Sequence, residues 1–304
     1  MTKTKLNNPV FKILAITIAS TIVSACGGDS SPRTGGSIAT EQGRFVDSPV
    51  AGLKYDAGSG VTGMTDSDGT FRYIRGQEIS FYFGDTLLGT AEGAQIMTPA
   101  NLAKAENSNN GISSPALLNR LRLLQALDTD GNPDNGITLP ESPILPGVTT
   151  LNFAVDAVNF AAQPVVGGLL NFIGLTSNDL PDETQALAHF EQYTLVNLFQ
   201  GCYLGRMQDF GDVVLKVYPN GFINGLARLQ EDSSLEPVNG TIRGDGSFSF
   251  GPTGFPSTFI GEISPLDGQS IAVFASENLG MQGGLISRNP LKFPTFDVSR
   301  CSGL

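Results

Sequence analysis

The sequence predicts a mainly β fold with a helical insert, and three observations lead to this prediction. Gly (37 residues) and Pro (18) are abundant while charged residues make up only 15% of the chain, which favours many turns over long solvated helices. Phe (19 residues) far outnumbers Tyr (6), and Trp is absent, a composition that suits β-rich packing. The C-terminal third alternates short apolar runs with Asn-Gly and Asp-Gly pairs, which are strong local signals of β-hairpins.

We therefore expect a small N-terminal β-sandwich, a helical insert and a C-terminal antiparallel β-sandwich or small barrel. The predicted divisions are a β-domain over residues 43–105, a helical insert with an acidic loop over 106–200, and an antiparallel β-domain over 201–304. At 304 residues the chain is long enough for each half to bury a core of its own.

The first 25 residues are typical of an export signal. Three lysines precede an apolar stretch at 13–23, which is shorter than the ~20 residues that a membrane span requires. The stretch ends in the sequence VSAC, whose last residue is Cys26, and this pattern resembles a bacterial lipobox. We expect cleavage before Cys26 and its modification by acyl groups such as palmitate. The alternatives are an ordinary signal peptide that happens to end near a cysteine, or an N-terminal anchor helix.

The expected location follows from this signal. Residues 26–42 are rich in Gly and small polar residues and predict a flexible tether. Several acyl chains hold a protein at a bilayer far more stably than one, so the membrane is an expected partner. Gly27, in place of an Asp, resembles the sorting signal for the outer membrane, with the body facing the periplasm or the cell surface. The net charge of −11 repels nucleic acid, and we expect no nucleic-acid partner.

The cysteine count predicts a disulfide. If Cys26 carries lipid, Cys202 and Cys301 remain as an even pair in an oxidising compartment. A bridge between them would connect the start of the C-terminal domain to its end. The alternative is a pair of buried free thiols.

The first β-domain carries a resemblance to a known group. The segments FVDSPVAGLKY (45–55), GMTDSDGTFRY (63–73), FYFGDTLLG (81–89) and MTPANL (97–102) resemble the opening module of surface lipoproteins from marine gammaproteobacteria. That module is similar to the carboxypeptidase-regulatory-like or transthyretin-like β-sandwich, which implies a stalk or surface role and no catalytic residues. The acidic turn at Thr65–Gly69 is best interpreted as a hairpin turn.

The insert contains two predicted helices. Ser114 and Pro115 suit the first positions of a helix over 114–127, and an apolar spacing over 181–199 predicts a second one. The segment between them, 138–180, includes an apolar stretch that is too short to span a membrane and predicts a buried loop or short helix. The sequence LLQALDTDGNPDNGI (123–137) resembles the same lipoprotein group.

The acidic loop is the best candidate for a metal site. Four oxygen-bearing side chains stand at alternate positions, as in an EF-hand-like calcium loop: Asp128, Asp130, Asn132 and Asp134. The match is imperfect because Pro133 occupies the position that usually holds Gly. The alternative is an Asx-rich loop that caps the preceding helix. Calcium is therefore a possible cofactor, and no other cofactor is expected.

The chemistry-bearing residues favour binding over catalysis. His189 is the only histidine, so a His-rich zinc site is impossible and any Ser-His-Asp hydrolase would depend on this residue. We expect a non-enzymatic binding, adhesion or envelope-assembly component whose partner is a surface polymer or an envelope protein. One alternative is a carrier for an apolar ligand, which predicts a closed cavity in the C-terminal domain or a groove lined by the apolar stretch 153–175. The other is a hydrolase of envelope polymers, which predicts a cleft with converging carboxylates or a Ser near His189.

Overall fold

The structure is a computed structural model that describes residues 38–106, 111–141, 150–207, 211–229, 234–253, 259–266, 269–276, 284–288, 301, 303 and 304. Residues 38–304 form one compact unit. The expected signal segment, Cys26 and the tether up to residue 37 lie outside the described residues. In the described part, no helix combines the length and the apolar character that crossing a membrane requires.

The N-terminal region contains eight short strands: β1 (Glu41–Phe45), β2 (Val50–Ala51), β3 (Lys54–Asp56), β4 (Thr62–Met64), β5 (Thr70–Tyr73), β6 (Glu78–Phe83), β7 (Thr86–Glu92) and β8 (Ile96–Met97). One sheet has the order β5-β1-β8 and another the order β4-β3-β6-β7. The ring of Phe81 on the second sheet contacts two rings of the first, with centroid distances of 4.7 Å to Phe45 and 5.1 Å to Phe71. The two sheets therefore face each other across an aromatic core, which confirms the predicted small sandwich.

Among the described residues, five α-helices follow: α1 (Pro99–Ala105), α2 (Pro115–Ala126), α3 (Ala157–Ala161), α4 (Pro164–Phe172) and α5 (Glu183–Thr194). The first predicted helix is confirmed as α2, and the Ser114 side chain accepts a hydrogen bond from the backbone N–H of Leu117 as its N-cap. Every residue of α2 after Pro115 is buried, since the helix is covered on all sides. The side chains of the first sandwich and of these helices form one continuous hydrophobic core.

The second predicted helix differs from the observed one at both ends. Asp182 is the N-cap of α5 and accepts a hydrogen bond from the backbone N–H of Gln185, so the helix starts two residues after Pro181. Its C-terminal end continues as a π-helical turn over Leu195–Phe199. The apolar segment before it contains the short helices α3 and α4, as the sequence predicted for a stretch too short to span a membrane.

A further short strand, β9 (Ile137–Thr138), pairs with β2 in the first region. The C-terminal region is a closed antiparallel barrel, and its eight described strands are β10 (Gly201–Met207), β11 (Gly211–Val217), β12 (Phe222–Leu229), β13 (Leu235–Ile242), β14 (Ser247–Pro252), β15 (Phe259–Leu266), β16 (Gln269–Ser276) and β17 (Gly284–Ser287). Strand β10 pairs with both β11 and β17, which closes the barrel. Gly221 and Gly246, with φ of +78° and +87°, supply the left-handed turn positions that the Asn-Gly and Asp-Gly pairs predict. The third such pair, at 267–268, lies outside the described residues.

The described side chains inside the barrel pack into an apolar core. Apolar residues from β10 to β15 and from β17 form one cluster, together with Leu195, Leu198 and Phe199 of the π-helical turn. The turn therefore packs its apolar residues into the barrel core. In addition, the hydroxyl of Tyr203 donates a hydrogen bond to the backbone oxygen of Phe199. The helices and the barrel are thus connected through this turn.

The two cysteines that remain after Cys26 lie at disulfide distance. The Cα atoms of Cys202 and Cys301 are 6.0 Å apart, and the pair forms a disulfide. Cys301 packs with Leu204 and Val214 in a small cluster of its own. The bond attaches the C-terminal segment to the first two strands of the barrel.

Candidate functional site

The turn between β1 and β2 is unusual because it buries two polar residues. Val46 and Pro49 form an isolated antiparallel bridge, and the residues between them, Asp47 and Ser48, are both 0% exposed. The strand that follows pairs with β9, which begins at Ile137 and comes directly after the acidic loop. This pairing places the buried turn beside the acidic loop, although the two are far apart in sequence.

Ser48, His189 and Asp134 form a hydrogen-bonded chain. The Ser48 Oγ lies 3.1 Å from His189 Nε2, and His189 Nδ1 lies 3.1 Å from Asp134 Oδ1. The three residues come from the β1–β2 turn, from α5 and from the acidic loop. The order of the contacts is that of a Ser-His-Asp hydrolase, in which one ring nitrogen faces the serine and the other faces the carboxylate.

The solvent exposures of Ser48 and Asp134 are the reverse of what a Ser-His-Asp hydrolase requires. A nucleophile must reach its substrate, but Ser48 is 0% exposed, whereas the Asp134 side chain is 73% exposed. The Ser48 hydroxyl also donates a hydrogen bond of 2.5 Å to the backbone oxygen of Pro133, so its proton points away from His189. This arrangement therefore attaches α5 to the loop and the turn, and it does not present a nucleophile.

Asp47 is a buried carboxyl group with one unsatisfied oxygen. Its Oδ2 accepts a hydrogen bond from Gln125 Nε2, while its Oδ1 has no hydrogen-bond partner. Burial raises the pKa of Asp47 from its ordinary value of 3.8 to about 7, against the opposing effect of the Gln125 hydrogen bond. Asp47 is therefore protonated in the folded protein over most of the acidic range.

The acidic loop begins with a buried carboxylate. Asp128 is only 7% exposed, and its Oδ1 accepts a hydrogen bond from the backbone N–H of Thr138. Its Oδ2 is buried without a nitrogen or hydroxyl donor, and the Asp128 carboxyl shares a hydrogen bond with the neighbouring carboxyl of Asp130. Burial is the main cause that raises the pKa of Asp128, and the charge of Asp130 raises it further.

The other side chains of the loop have structural partners. Asp130 accepts hydrogen bonds from the backbone N–H of Asn132 and from the Asn135 side chain; the Asn135 bond is the main reason why the pKa of Asp130 is lowered. Asp134 is turned toward His189. Over the described residues, no group of three or more His, Cys, Asp or Glu side chains is placed to hold a metal ion. The four predicted ligands do not converge, and calcium binding stays a prediction without structural support.

An open cleft of about 700 Å³ lies between the acidic loop, the end of α2 and the start of α5. Its lining includes four carboxylates, those of Asp128, Asp130, Asp134 and Asp179, together with His189. Apolar side chains form the opposite part of the wall, among them Ile173 and Leu175. The cleft thus combines negative charge with apolar surface, which is the common composition of a small-molecule site.

The sequence pattern indicated the acidic loop and His189, but it did not indicate Asp47 and Ser48 of the buried turn beside them. Asp47 and Ser48 were not among the predicted site residues. The available signal was the placement of two polar residues between the apolar Val46 and Val50, since a buried polar pair needs hydrogen-bond partners from elsewhere in the fold. The sequence does not indicate that those partners are Gln125 and His189.

No protein-family model, no curated protein and no solved structure matches this chain.

Proposed function

We propose that this chain is a lipid-anchored envelope protein that acts by binding rather than by catalysis, and that the acidic cleft is its binding site. The proposal is based on the difference in accessibility between the buried Ser48 and the open cleft next to it. In the described part of the chain, the Ser-His-Asp arrangement around His189 is closed over its serine, with Ser48 at 0% exposure, whereas the cleft next to it is open and about 700 Å³ in volume. Ligands can enter the cleft without reaching Ser48.

The anchor rests on the sequence. The segment VSAC ending at Cys26, the preceding apolar stretch and the tether after it together support lipid attachment at the outer membrane. The body would then be held near the envelope surface, where a binding cleft could serve adhesion or assembly. The partner would be a surface polymer or an envelope protein.

A carrier for apolar ligands is less well supported. Such a carrier needs an empty apolar interior, but the described side chains of the barrel pack into one cluster that includes Phe248, Phe250 and Phe259. The π-helical turn adds Phe199 to this cluster.

Complementation of a deletion strain tests the proposal in cells. The strain would produce the wild-type chain, Cys26→Ser, Asp130→Asn or Ser48→Ala, and we would measure palmitate labelling, membrane fractionation and attachment to surfaces. We expect Cys26→Ser to lose the label and the membrane fraction, and Asp130→Asn to reduce attachment at least tenfold. Ser48→Ala should retain attachment, since its hydroxyl does not act on a substrate.

Glu92→Gln is the matched control, because Glu92 is an exposed carboxylate at the end of β7 and outside the cleft. It should behave as the wild type in every assay. Attachment that survives Asp130→Asn would show that the cleft is not the binding site. A loss of an envelope hydrolase activity in Ser48→Ala, with normal protein levels, would contradict the non-catalytic role.

A further inference from the structure

The buried turn between β1 and β2 contacts three separate segments of the molecule. Oδ2 of Asp47 accepts a hydrogen bond from Gln125 of α2. Ser48 donates a hydrogen bond to the backbone oxygen of Pro133 in the acidic loop and contacts His189 of α5. Gln125, Pro133 and His189 all line the open cleft. A movement of the turn would therefore break contacts with three parts of the cleft wall.

Neither neighbouring donor is free to serve the second oxygen of Asp47. Oδ1 of Asp47 is buried without a hydrogen-bond partner. Nε2 of Gln125 donates one hydrogen to Oδ2 of Asp47 and the other to the backbone oxygen of Ala186. The only proton of the Ser48 hydroxyl points to Pro133. A neutral carboxyl group therefore fits this site, whereas a carboxylate would be buried with one oxygen unsatisfied, which is costly.

The protonation of Asp47 is set by burial and not by a neighbouring charge. Burial raises its pKa to about 7, against the opposing effect of the Gln125 hydrogen bond. The charged and titratable groups of the neighbouring elements have partners of their own: Arg44 with the backbone oxygen of Asp68, Asp66 with the N–H groups of Asp68 and Thr70, Arg122 with Asn119, the backbone oxygen of Pro181 and the charges of Asp182 and Glu183, Asp128 with the N–H of Thr138, Glu191 with Arg243, and His189 with Asp134. The closed turn therefore depends on the proton of Asp47 itself.

We propose that the turn of Asp47 and Ser48 is a pH-sensitive switch: it stays closed while the Asp47 carboxyl is neutral, and ionisation of Asp47 moves the turn into solvent and releases Pro133 and His189 from Ser48. In the open turn the carboxyl has its ordinary pKa of 3.8, whereas the closed turn retains the proton up to about pH 7. The open population therefore grows by up to about tenfold per pH unit between these two values. The switch goes beyond the proposed binding function, because it changes the wall of the cleft and not its ligand.

Labelling of the purified full chain with diethyl pyrocarbonate in detergent micelles tests this. The reagent acylates an unprotonated imidazole nitrogen, and His189 is the only histidine, so the histidine product reports one site whose side chain is 11% exposed in the closed form. We would measure the labelling rate by mass spectrometry at pH 5 and pH 8 for the wild type and for Asp47→Asn, whose amide stays neutral at both pH values. The ratio of the wild-type rate to the Asp47→Asn rate should rise at least tenfold from pH 5 to pH 8. The direct effect of pH on the imidazole ring acts on both proteins and cancels in this ratio.

Lys216 of β11, whose ammonium group donates to the backbone oxygen of Leu304, reports global unfolding because the reagent also labels amines. Its rate ratio should stay constant with pH, and Glu92→Gln, which changes an exposed carboxylate on β7, should label as the wild type does. Ser48→Ala is a second variant, in case Asp47→Asn perturbs the fold, and it should label His189 several-fold faster than the wild type at pH 5. An unchanged His189 ratio would overturn the inference, as would a parallel rise at Lys216 or a wild-type rate in Ser48→Ala.

Discussion

The two regions of the molecule hold their cores together by different means. In the first region, α2 and the turn after β1 bury charged and polar side chains, including Arg120, Asn119 and Asp47. In the barrel, no Asp, Glu, Lys or Arg side chain is fully buried among the described residues. The strands of the barrel form a continuous hydrogen-bonded ladder that closes on itself, and the disulfide adds a covalent connection. Short helices and small sheets lack such a closed ladder, and specific polar contacts hold them in position.

Arg120 shows how these polar contacts work. It is 1% exposed, and its guanidinium donates hydrogen bonds to the backbone oxygens of Leu88 and Ala116 and to the carboxylate of Glu106. It also lies over the ring of Phe153, 4.2 Å from the centroid. The Arg120 side chain therefore connects β7, the end of α1, α2 and the loop before α3. Removal of such a group leaves several acceptors unsatisfied at once.

Loss of the disulfide should have the largest effect and should be confined to the barrel. Cys202 and Cys301 are 99 positions apart, and the chain-entropy model assigns about 4.7 kcal/mol to a loop of roughly 100 residues. We expect Cys301→Ser to lower the free energy of unfolding of the barrel by up to that amount. Hydrogen exchange measured by mass spectrometry should show faster exchange in β10–β17 and little change in β1–β7. Reduction of the wild type should reproduce the pattern, and equal acceleration in both regions would show that they unfold as one unit.

Removal of Arg120 should destabilise the other region. Arg120→Ala removes a buried guanidinium from its pair with the half-exposed Glu106 and leaves the backbone oxygen of Leu88 without this donor, and each buried acceptor that loses its donor costs about 1–3 kcal/mol. Faster exchange should appear in β7 and α2 and spare the barrel. The control is Arg75→Ala, which breaks an ion pair with Glu41 while the Arg75 side chain is 80% exposed and should cost no more than about 1 kcal/mol. Similar losses in the two variants would refute the structural role of Arg120.

The difference between the regions also explains what could be predicted from sequence. The barrel strands follow from local patterns, because alternation and a Gly at each tight turn, such as Gly221 and Gly246, are sufficient to define hairpins. The start of α2 at Ser114 was equally local. The contacts of Arg120 with Leu88, of Asp47 with Gln125 and of Ser48 with His189 were not predictable, since each joins segments at least 32 positions apart. A single sequence contains no local signal for such pairs.

The candidate site was only partly predictable, because its arrangement also depends on contacts between distant segments. The carboxylates of the acidic loop were visible as a local pattern, but their orientation depends on distant groups. Asp134 faces His189, 55 positions away, which removes it from the set of four that the EF-hand-like spacing indicated. The cleft itself forms between the loop and the segment around Ile173, and no local pattern predicts that approach.

Replacement of the buried carboxyl group of Asp47 should stabilise the first region in a pH-dependent manner. The pKa of Asp47 is about 7 in the folded protein and 3.8 ordinarily. As pH rises from about 4 to about 7, the unfolded chain ionises Asp47 while the folded protein does not, so the wild type loses stability over this window. Asp47→Asn has no such loss. Its advantage should be near zero at pH 4 and should reach a few kcal/mol, at most about 4, by pH 8.

Urea unfolding of both proteins from pH 4 to pH 8 measures this difference. The amide that Asp47→Asn introduces retains an acceptor for Gln125 Nε2, so the shape of the site is preserved. Asp66→Asn provides a control of opposite sign, because backbone hydrogen bonds from Thr70 and Asp68 lower the pKa of the exposed Asp66, and that variant should lose stability at neutral pH. A constant difference between Asp47→Asn and the wild type at all pH values would show that Asp47 is not protonated in the fold.

The smallest expected effect concerns the junction between the two regions. Arg243 follows β13 in the barrel and pairs with Glu191 of α5 through two hydrogen bonds, and its side chain is 47% exposed. Ion pairs at such exposure contribute about 1 kcal/mol or less. Arg243→Ala should therefore leave the stability of each region almost unchanged, and a double-mutant cycle with Glu191→Ala should give a coupling energy below about 1 kcal/mol. A larger coupling would mean that this pair, rather than the apolar contacts of Leu195 and Phe199, holds α5 to the barrel. The two regions would then depend on charge at their junction as well as inside the first of them.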